Sequence, residues 1–513
     1  MTAKEAEQDT EPKPLQVKLE DATELPSVVA ASNNFGFELY RELAKDPANT
    51  NLFLSPYSVS SALIMTIEGA RGDTAREMGK ALQFPNNLLN TDDNQSNSPW
   101  QTNPVHLGFA AINQLLLGKD DAQISEIKEA IALKREQLEA AKQKLAEIKR
   151  TGEWKALPEA EQAEQLVADE LNAALAQINQ YELNVANALW GEKTYPFDPN
   201  FTKTINQYYG TGGVFSADFI NAFPEERNRI NSWVEDNTNN RIENLIPQIP
   251  TEVAKDLRLI VVNALFFKGE WAEPFGEAET KQEPFYLADG STAQTTLMQN
   301  PEHPSARYAA FNADGSVFDT PLRQQAGQTG GLYPAESGFA MLELPYKGDE
   351  LSMVLVAPFE PDGLEAIEQS ITAASLTRWL EALQQRKTHV VMPRFTLEQS
   401  FQLKQPLQAM GIDHAFNPRT ADFSALTLST DPNDRLFISE VVHKTFLEVS
   451  EKGTEAAAAT AVVMMRTTSM RKTFPFTPVF RADKPFLFLI RDKRTGVVLF
   501  LGRLSTPLPE QTN

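Results

Sequence analysis

The sequence contains no cysteine. Disulfide bonds, catalysis by a thiolate and zinc sites with cysteine ligands are therefore excluded. The chain also has no run of about 18 consecutive apolar residues, so it predicts no membrane-spanning helix. Its first 26 residues are polar and acidic, and they lack the apolar core of a secretory signal. The sequence as written therefore predicts a cytoplasmic location.

The motifs that mark many hydrolases, nucleotide-binding proteins and zinc enzymes are missing as well. No histidine belongs to an HExxH motif or is spaced with carboxylates as in a zinc site. The five histidines are His106, His303, His389, His414 and His443. Neither a GxSxG turn nor a GxxxxGK(S/T) phosphate loop is present. We therefore predict that the chain is not an enzyme and needs no metal or other cofactor.

Basic residues are scarce relative to acidic ones. The chain has 69 Asp and Glu against 47 Lys and Arg, a formal net charge of −22. A field of this sign repels polyanions, so we expect no binding to nucleic acid or to an anionic membrane. The 513 residues, 42% of them hydrophobic, are enough to bury a large core.

Residues 119–180 show the repeat of a helical hairpin. Apolar side chains recur every seven positions in the first half, as along the seam of a coiled coil. The repeating residues are Ile124, Ile131, Leu138 and Leu145. A Thr-Gly-Glu-Trp break follows, and then a second amphipathic pattern from Pro158 to about residue 178. Two helices joined by a short turn predict an inserted antiparallel hairpin. It is either a self-contained surface insert or an arm that binds a partner or a second copy.

The rest of the chain alternates between strand and helix patterns without a regular period. An apolar strand is predicted at residues 257–271, and hairpins at residues 339–358 and 486–503, where apolar runs flank a polar turn. This interleaving predicts an α+β fold with large mixed or antiparallel sheets. Residues 1–26 predict a disordered acidic tail, and the Gly/Gln/Asp-rich residues 311–337 predict a flexible insert.

The segment from Glu451 to Met470, EKGTEAAAATAVVMMRTTSM, has an unusual composition. Gly453 provides a flexible pivot because it lacks a Cβ, and small residues follow it. If the segment were a strand, Glu455 would lie on one face and the other face would be uncharged. The uncharged face comprises Thr454, Ala456, Ala458, Thr460, Val462 and Met464. Such a segment can be exposed in one state and packed in another. Composition alone favours the alternative of an ordinary alanine-rich helix.

Three separated segments resemble the serpin family of serine protease inhibitors. They are NTNLFLSPYSVSSALIMTIEGARGDT at residues 49–74, LIVVNALFFKGEW at residues 259–271, and HKTFLEVSEKGTEAAAATA at residues 443–461 followed by FRADKPFLFLIRD. The resemblance covers most of residues 27–507 apart from the two inserts. It implies a serpin domain over that range, with a large mixed central sheet, two smaller sheets, about nine helices and an exposed reactive loop.

The resemblance also implies an activity. A serpin acts as a suicide substrate: a serine protease attacks the reactive loop, forms an acyl-enzyme, and is trapped when the cleaved loop inserts into the central sheet. The small, uncharged hinge of the loop favours this inhibitory function. The alternative is a non-inhibitory serpin that uses the helical insert as an interaction arm in a binding or chaperone role.

Three groups of site residues follow from the resemblance. The hinge of the loop comprises Glu451, Gly453, Thr454, Ala456, Ala457, Ala458, Ala459 and Thr460. A polar cluster beneath the central sheet comprises Asn51, Ser55, Ser58, Asn263 and His443. The point where the loop first enters the sheet comprises Trp271, Arg394 and Glu451, with a predicted ion pair between Arg394 and Glu451.

Family spacing places the cleaved bond at Thr467–Thr468, with Arg466–Thr467 as the alternative. Arg466 would suit a trypsin-like protease, whereas Met465 would suit a chymotrypsin- or elastase-like one. The expected partner is a serine protease of the trypsin-like or subtilisin-like class, and the inhibitor is expected to be a monomer. Residues 106–117 match a helix that binds heparin in some serpins, but they contain no Lys or Arg, so no heparin binding is expected. Many serpins are extracellular, in contrast to the cytoplasmic location that this sequence predicts.

Overall fold

The computed structural model describes residue 15 and residues 17–90, 98–117, 121–152, 156–175, 181–210, 213–318, 338–429, 431, 434–454 and 477–507. These residues form twelve α-helices and seventeen β-strands, and the strands make three sheets. The helices are α1 (Leu25–Ala44), α2 (Pro56–Ile67), α3 (Gly72–Ala81), α4 (Asn103–Leu117), α5 (Asp121–Thr151), α6 (Leu157–Leu175), α7 (Pro199–Tyr209), α8 (Phe219–Asn237), α9 (Thr251–Ala254), α10 (Leu364–Ser370), α11 (Ala373–Ala382) and α12 (Lys404–Ala409). The strands are β1 (Leu52–Leu54), β2 (Tyr181–Glu192), β3 (Gly213–Ala217), β4 (Leu259–Glu270), β5 (Lys281–Tyr286), β6 (Thr292–His303), β7 (Arg307–Asn312), β8 (Gly338–Pro345), β9 (Leu351–Pro358), β10 (Gln384–Gln385), β11 (Thr388–Pro393), β12 (Phe395–Gln402), β13 (Ile438–Ser450), β14 (Gly453–Thr454), β15 (Val479–Arg481), β16 (Phe486–Asp492) and β17 (Val498–Leu504).

Three of the four longest strands, β2, β4 and β13, belong to a mixed sheet with the order β12-β13-β14-β4-β2-β3. At its centre β13 and β4 pair in parallel, with Ile438 to Phe446 beside Leu259 to Phe266. Beyond Phe446 the two strands separate, and the two residues of β14 lie between them, antiparallel to both. β13 and β4 are therefore in direct contact along most of their length, and at one end they are separated by the width of one strand, which β14 occupies.

The apolar run of β4 follows from its position in the middle of this sheet. Val261 and Leu265 face the main core, whereas Ile260, Val262 and Phe266 belong to a second cluster on the opposite face. Helix α8 covers that second face. Because both faces are buried, the strand is apolar on both faces rather than alternating, and Asn263 is the one polar residue between Leu259 and Phe267.

Helix α2 crosses beneath the sheet and contacts both β2 and β4. All twelve of its residues are buried. Its start is dictated locally: Pro56 occupies the first helical position, where a missing N–H costs nothing, and Ser55 Oγ accepts the Ser58 N–H at 3.1 Å. The N-terminus of this helix therefore brings the side chains of Ser55 and Ser58 to the inner face of the sheet.

The other two sheets complete the domain. A seven-stranded sheet has the order β1-β17-β16-β9-β8-β7-β10, and every pairing in it is antiparallel. A four-stranded sheet has the order β15-β11-β6-β5. The two hairpins predicted at residues 339–358 and 486–503 are β8–β9 and β16–β17, and both are confirmed.

Helices α5 and α6 pack against each other in an antiparallel hairpin. Ion pairs join Lys134 to Glu170 and Lys149 to Glu161, so residues later in α5 meet residues earlier in α6. The hairpin lies between α4 and β2, and the Tyr181 hydroxyl donates to the Leu116 carbonyl oxygen at 3.4 Å. That bond joins the end of α4 to the start of β2, so the two points where the hairpin leaves the domain are close together.

The predicted α+β class with a large mixed sheet and two further sheets is confirmed; the seven-stranded sheet has one strand more than the mixed sheet, but none of its strands exceeds eight residues. The described residues contain twelve α-helices rather than about nine. The two helices of the insert add to the number, and α9, α10 and α12 have only four to seven residues. None of the helices in the described ranges is long and apolar enough to span a membrane.

Two ordered stretches extend into segments that were predicted to lack structure. Val17 and Ala22 are buried because they pack against Ala110 and Ala111 of α4. Helix α1 also begins within this stretch, at Leu25. Phe311 is buried at the end of β7 and stacks on Phe339 at 4.9 Å, so part of the predicted insert belongs to the seven-stranded sheet.

Candidate functional site: the polar cluster and hinge of the mixed sheet

A polar pair bridges the two central parallel strands. His443 of β13 and Asn263 of β4 are register partners, and both are fully buried. The His443 Nδ1–H donates to Asn263 Oδ1, and His443 Nε2 accepts the backbone N–H of Ser55 at 3.0 Å. Because Ser55 N–H can only donate, these partners fix a neutral imidazole with its proton on Nδ1.

The amide of Asn263 extends the network beneath β2. Its Nδ2 donates to Ser58 Oγ and to Asn187 Oδ1, and Ser58 Oγ donates to Asn187 Oδ1 at 3.0 Å. Ser55 Oγ in turn donates to the Leu499 carbonyl oxygen at 2.6 Å. The cluster thus ties α2 to three neighbouring strands of the mixed sheet. Leaving one of these buried groups without a partner would cost about 1–3 kcal/mol.

The structure places four of the five predicted cluster residues together, and Asn51 elsewhere. Asn51 Oδ1 accepts the backbone N–H groups of Ser505 and Thr506, and its Nδ2 donates to the Thr506 carbonyl oxygen at 2.9 Å. Asn51 lies directly before β1 and five residues before the start of α2, and its side chain contacts the C-terminal end of the domain rather than the mixed sheet. It fastens the C-terminal end of the domain.

Asn187 of β2 is a cluster residue that the sequence reasoning missed. It is paired in register with Asn263 and is 5% exposed. A signal existed: Asn187 is a polar residue between two alanines in the apolar, buried part of β2 (residues 186–191), and a buried amide requires partners.

At the open end of the sheet, the hinge residues Gly453 and Thr454 already occupy a strand position. Gly453 pairs with Ser450 on one side and Glu270 on the other, and Thr454 pairs with Val449 and Gly269. The Thr454 side chain is buried and its Oγ1 lies 2.9 Å from the Tyr346 hydroxyl. Thr454 therefore faces the interior, as the alternation predicted from sequence requires.

Gly453 is required by its surroundings. Its φ of 146° is one that L side chains rarely adopt, and a Cβ there would lie 2.2 Å from the Gly269 carbonyl oxygen. A glycine therefore allows the chain to turn closely against β4 after β13.

Trp271 and Glu451 secure the turn that precedes the hinge. The Trp271 indole N–H donates to the Ser450 carbonyl oxygen at 2.9 Å, and its ring stacks on Tyr346 at 4.7 Å. Glu451 is buried and accepts a hydrogen bond from Thr280 Oγ1 at 2.9 Å. The carbonyl oxygen of Glu451 accepts the N–H of Phe275 at 2.8 Å.

The predicted Arg394–Glu451 ion pair is present, with Nη1 and Oε2 3.8 Å apart. The Arg394 side chain is 45% exposed, so solvent screens the pair and its contribution is at most about 1 kcal/mol. Two hydrogen bonds to Glu451, from the Thr280 hydroxyl to its carboxylate and from the Phe275 N–H to its carbonyl oxygen, therefore hold the turn at least as firmly as the ion pair does. The predicted hinge residues Ala456 to Thr460 and the residues of the predicted cleaved bonds lie outside the described residues.

The buried, neutral His443 predicts that the free energy of unfolding depends on pH. Burial lowers the pKa of His443 from 6.5 to about 3. As the pH falls below 6.5, the unfolded chain takes up a proton that the folded chain does not, so the free energy of unfolding decreases until about pH 3. Between pH 6.5 and pH 5 the loss from this residue is about 2 kcal/mol. We expect His443→Gln to lose about 2 kcal/mol less than the parent chain between pH 7.5 and pH 5, as measured by urea unfolding.

Other titrating groups are common to both chains and cancel in this comparison. They include His303, whose pKa burial lowers to about 4. An equal loss in the parent chain and in His443→Gln would contradict a neutral, buried His443.

Comparison with known proteins agrees with this arrangement. Residues 30–135 and 106–507 match the family model described as Serpin (serine protease inhibitor). Human Serpin B4 is 33% identical over 487 residues, covering 94% of this chain and 100% of its own. Leukocyte elastase inhibitor of Bos taurus is 32% identical, with 93% and 99% covered.

Solved structures show the same fold at lower identity. Native protease nexin-1 with heparin aligns with a TM-score of 0.65 at 22% identity, covering 94% of this chain and 100% of that one. Uncleaved ovalbumin aligns with a TM-score of 0.65 at 24% identity and the same coverage. The family match over most of the chain, the identity to Serpin B4 and the shared fold lead to one conclusion: this chain belongs to the serpin family, whose members are described as protease inhibitors rather than enzymes.

Proposed function

We propose that this chain inhibits a serine protease as a suicide substrate. The protease attacks the loop after β14 and forms an acyl-enzyme, and the cleaved loop then inserts fully between β13 and β4. The protease is carried along and distorted before it can deacylate. The observation that supports this most strongly is that Gly453 and Thr454 are already paired with both strands. The leukocyte elastase inhibitor, a relative of this chain, is by its name an inhibitor of a protease.

The sheet topology supplies a driving force for further insertion. Below β14, no strand of the described residues lies between β13 and β4, and the two strands pair directly with each other in parallel. An inserted strand would be antiparallel to both, as β14 is. One parallel ladder, which is slightly less stable per residue, would be replaced by two antiparallel ladders. Insertion thus gains a full ladder of hydrogen bonds together with the burial of the loop's uncharged face.

If the register of β14 continues along the gap between β13 and β4, it gives the length of loop that the sheet would accept. Gly453 is opposite Glu270, and Thr454 is opposite Gly269. Continuing this pairing one residue at a time brings Met464 opposite Leu259, the first residue of β4. On the other side, Met464 reaches the level of Ser439, next to the start of β13. The cleaved bond should therefore lie beyond Met464, as both Thr467–Thr468 and Arg466–Thr467 do.

The same register gives Thr460 a particular place. It would lie between Asn263 of β4 and His443 of β13, the pair whose hydrogen bond insertion must break. A hydroxyl group can both donate and accept, so Thr460 can satisfy the two side chains that it separates. Its position allows the cluster to hold the strands together before cleavage and to accept the loop afterwards.

The proposed partner is a serine protease, and the inhibitor is proposed to act as a monomer. Arg466 would direct it to a trypsin-like protease, and Met465 to a chymotrypsin- or elastase-like one. Heparin is not expected to accelerate the reaction, since α4 contains no Lys or Arg. A non-inhibitory scaffold with the α5–α6 hairpin as an interaction arm is the second candidate, supported by Leu133 and Leu166, which the hairpin exposes by 54% and 59%.

The first test is the trapped complex. We expect the parent chain, mixed with trypsin-, chymotrypsin-, elastase- and subtilisin-like proteases, to give a complex with at least one of them that survives boiling on denaturing gels. Mass spectrometry of the released C-terminal peptide should place the cleaved bond beyond Met464. Thr454→Arg should lower the trapped fraction about tenfold or more, because a guanidinium buried against Tyr346 costs several kcal/mol and roughly 1.4 kcal/mol is a factor of ten.

Thr454→Ser is the matched control, because it keeps the hydroxyl that meets Tyr346 and should keep the trapping. Glu455→Arg, on the opposite face of the inserted strand, should trap as well. The suicide-substrate proposal is wrong if the parent chain is only cleaved, or if Thr454→Arg traps as efficiently as Thr454→Ser.

A second test concerns Thr460. We expect Thr460→Val to lower the thermal midpoint of the cleaved protein and to increase the fraction of inhibitor that is cleaved without trapping. The reason is that two buried polar groups lose a partner, at about 1–3 kcal/mol each. Thr460→Ser should behave as the parent chain does. Equal behaviour of the valine and serine variants would contradict the register.

A further inference from the structure

The α5–α6 hairpin has a small core of its own. Leu145 and Ile148 of α5 are buried against Ala160 of α6, and half-buried Ala156 and Leu157 complete this cluster. Farther along the seam, Ile131 and Leu171 are buried as well. Two helices joined along one narrow seam leave most of each helix surface uncovered, unlike the helices of a three- or four-helix bundle.

The seam fixes the direction of every other side chain on the hairpin. Ile131, Leu138 and Leu145 define heptad position a of α5, and Leu171 defines position a of α6. Lys149 and Glu161 then both occupy position e, and they form an ion pair at 3.3 Å across the seam. Two e positions meet in this way only in an antiparallel pair. The observed contact therefore agrees with the assigned register.

The side of the hairpin opposite to the e positions carries the c and g positions of both helices. In the assigned register these include five exposed apolar residues, and they form a surface that we name the apolar strip. It comprises Ala130, Leu133, Ala140, Ala163 and Leu166. Leu133 and Leu166 are 54% and 59% exposed, among the most exposed large apolar side chains of the described residues. Leucines and alanines along the valley between two helices form a groove that suits a third helix.

The charges beside the apolar strip differ between its two edges. On the α6 edge, Glu159 and Glu170 are exposed, and α6 contains no Lys or Arg along its whole length. Glu170 forms an ion pair with Lys134 of α5, so Glu159 is the more available of the two for a charge on a ligand. On the α5 edge, Gln137, Lys144 and Glu147 give little net charge, and Glu147 also pairs with Arg150. A ligand that lies in this groove would meet negative charge on one side only.

We propose that the apolar strip binds an amphipathic helix of another protein, with apolar residues at helical spacing and Lys or Arg along one edge. The apolar face fills the groove and completes a three-helix bundle, while the basic edge lies over α6. A second copy of this chain fits less well, because its net charge of −22 opposes self-association. This binding surface is independent of the loop and of protease inhibition.

The test uses two synthetic 18-residue amphipathic helices with the same leucine stripe, one with lysines along one edge and the other with glutamates there. We expect the full-length chain to bind the lysine peptide by fluorescence anisotropy, and more weakly as the salt concentration rises. Leu133→Lys and Leu166→Lys should each weaken binding about tenfold or more, since each removes a leucine side chain from the interface. Glu159→Lys should weaken binding of the lysine peptide and strengthen that of the glutamate peptide.

Leu428→Lys is the matched control, because Leu428 is 55% exposed and lies outside the hairpin. It should leave the affinity unchanged, and circular dichroism should show equal helix content in every variant. Equal binding of the two peptides, or an equal effect of Leu428→Lys, would overturn the proposal. So would concentration-dependent dimerisation in analytical ultracentrifugation that Leu133→Lys abolishes, since the occupant would then be a second copy.

Discussion

The parallel contact between β13 and β4, with the His443–Asn263 hydrogen bond at its middle, is the constraint on which the rest of the site depends. It closes the sheet below β14. Its pairing is parallel, and parallel ladders are slightly less stable per residue than antiparallel ones. In the proposed mechanism, an antiparallel strand with a suitable polar group opposite His443 and Asn263 replaces this contact.

The hydrogen-bond network around this bond holds β13 and β4 together, and in the proposed mechanism the same network has to let them separate. Ser58, Asn187 and Asn263 form a fully buried set of donors and acceptors under β2 and β4, so the strands are held in one position. β2 and β4 are paired over nearly their whole length, so the proposed insertion would move them as one unit. At the other end of the sheet, Trp271, Tyr346 and the turn at Glu451 keep the hinge aligned with the gap.

Local sequence patterns were sufficient for much of this picture. The apolar run of β4, the two hairpins, the heptads of α5 and the ion pair of Arg394 with Glu451 are all consistent with patterns or motifs that the chain carries in short stretches. Asn51 was assigned to the wrong place because its partners, Ser505 and Thr506, lie at the far end of the chain. Tyr346 was missed for the same reason, since its role comes from a contact with Thr454 far along the chain. Asn187 carried a local signal as a polar residue in a buried stretch, but its partner Asn263 lies on another strand. The insertion of Gly453 and Thr454 likewise depends on a gap between strands, and a single segment of sequence cannot reveal it.

The central claim is that the observed register of β14 continues along the gap after cleavage, and a crystal structure of the chain cleaved in its loop tests it most directly. The account predicts a new strand from Gly453 to Met464 between β13 and β4, with Thr460 between Asn263 and His443 and Met464 beside Leu259. A cleaved structure in which β13 and β4 remain paired in parallel, with His443 still bonded to Asn263, would contradict it.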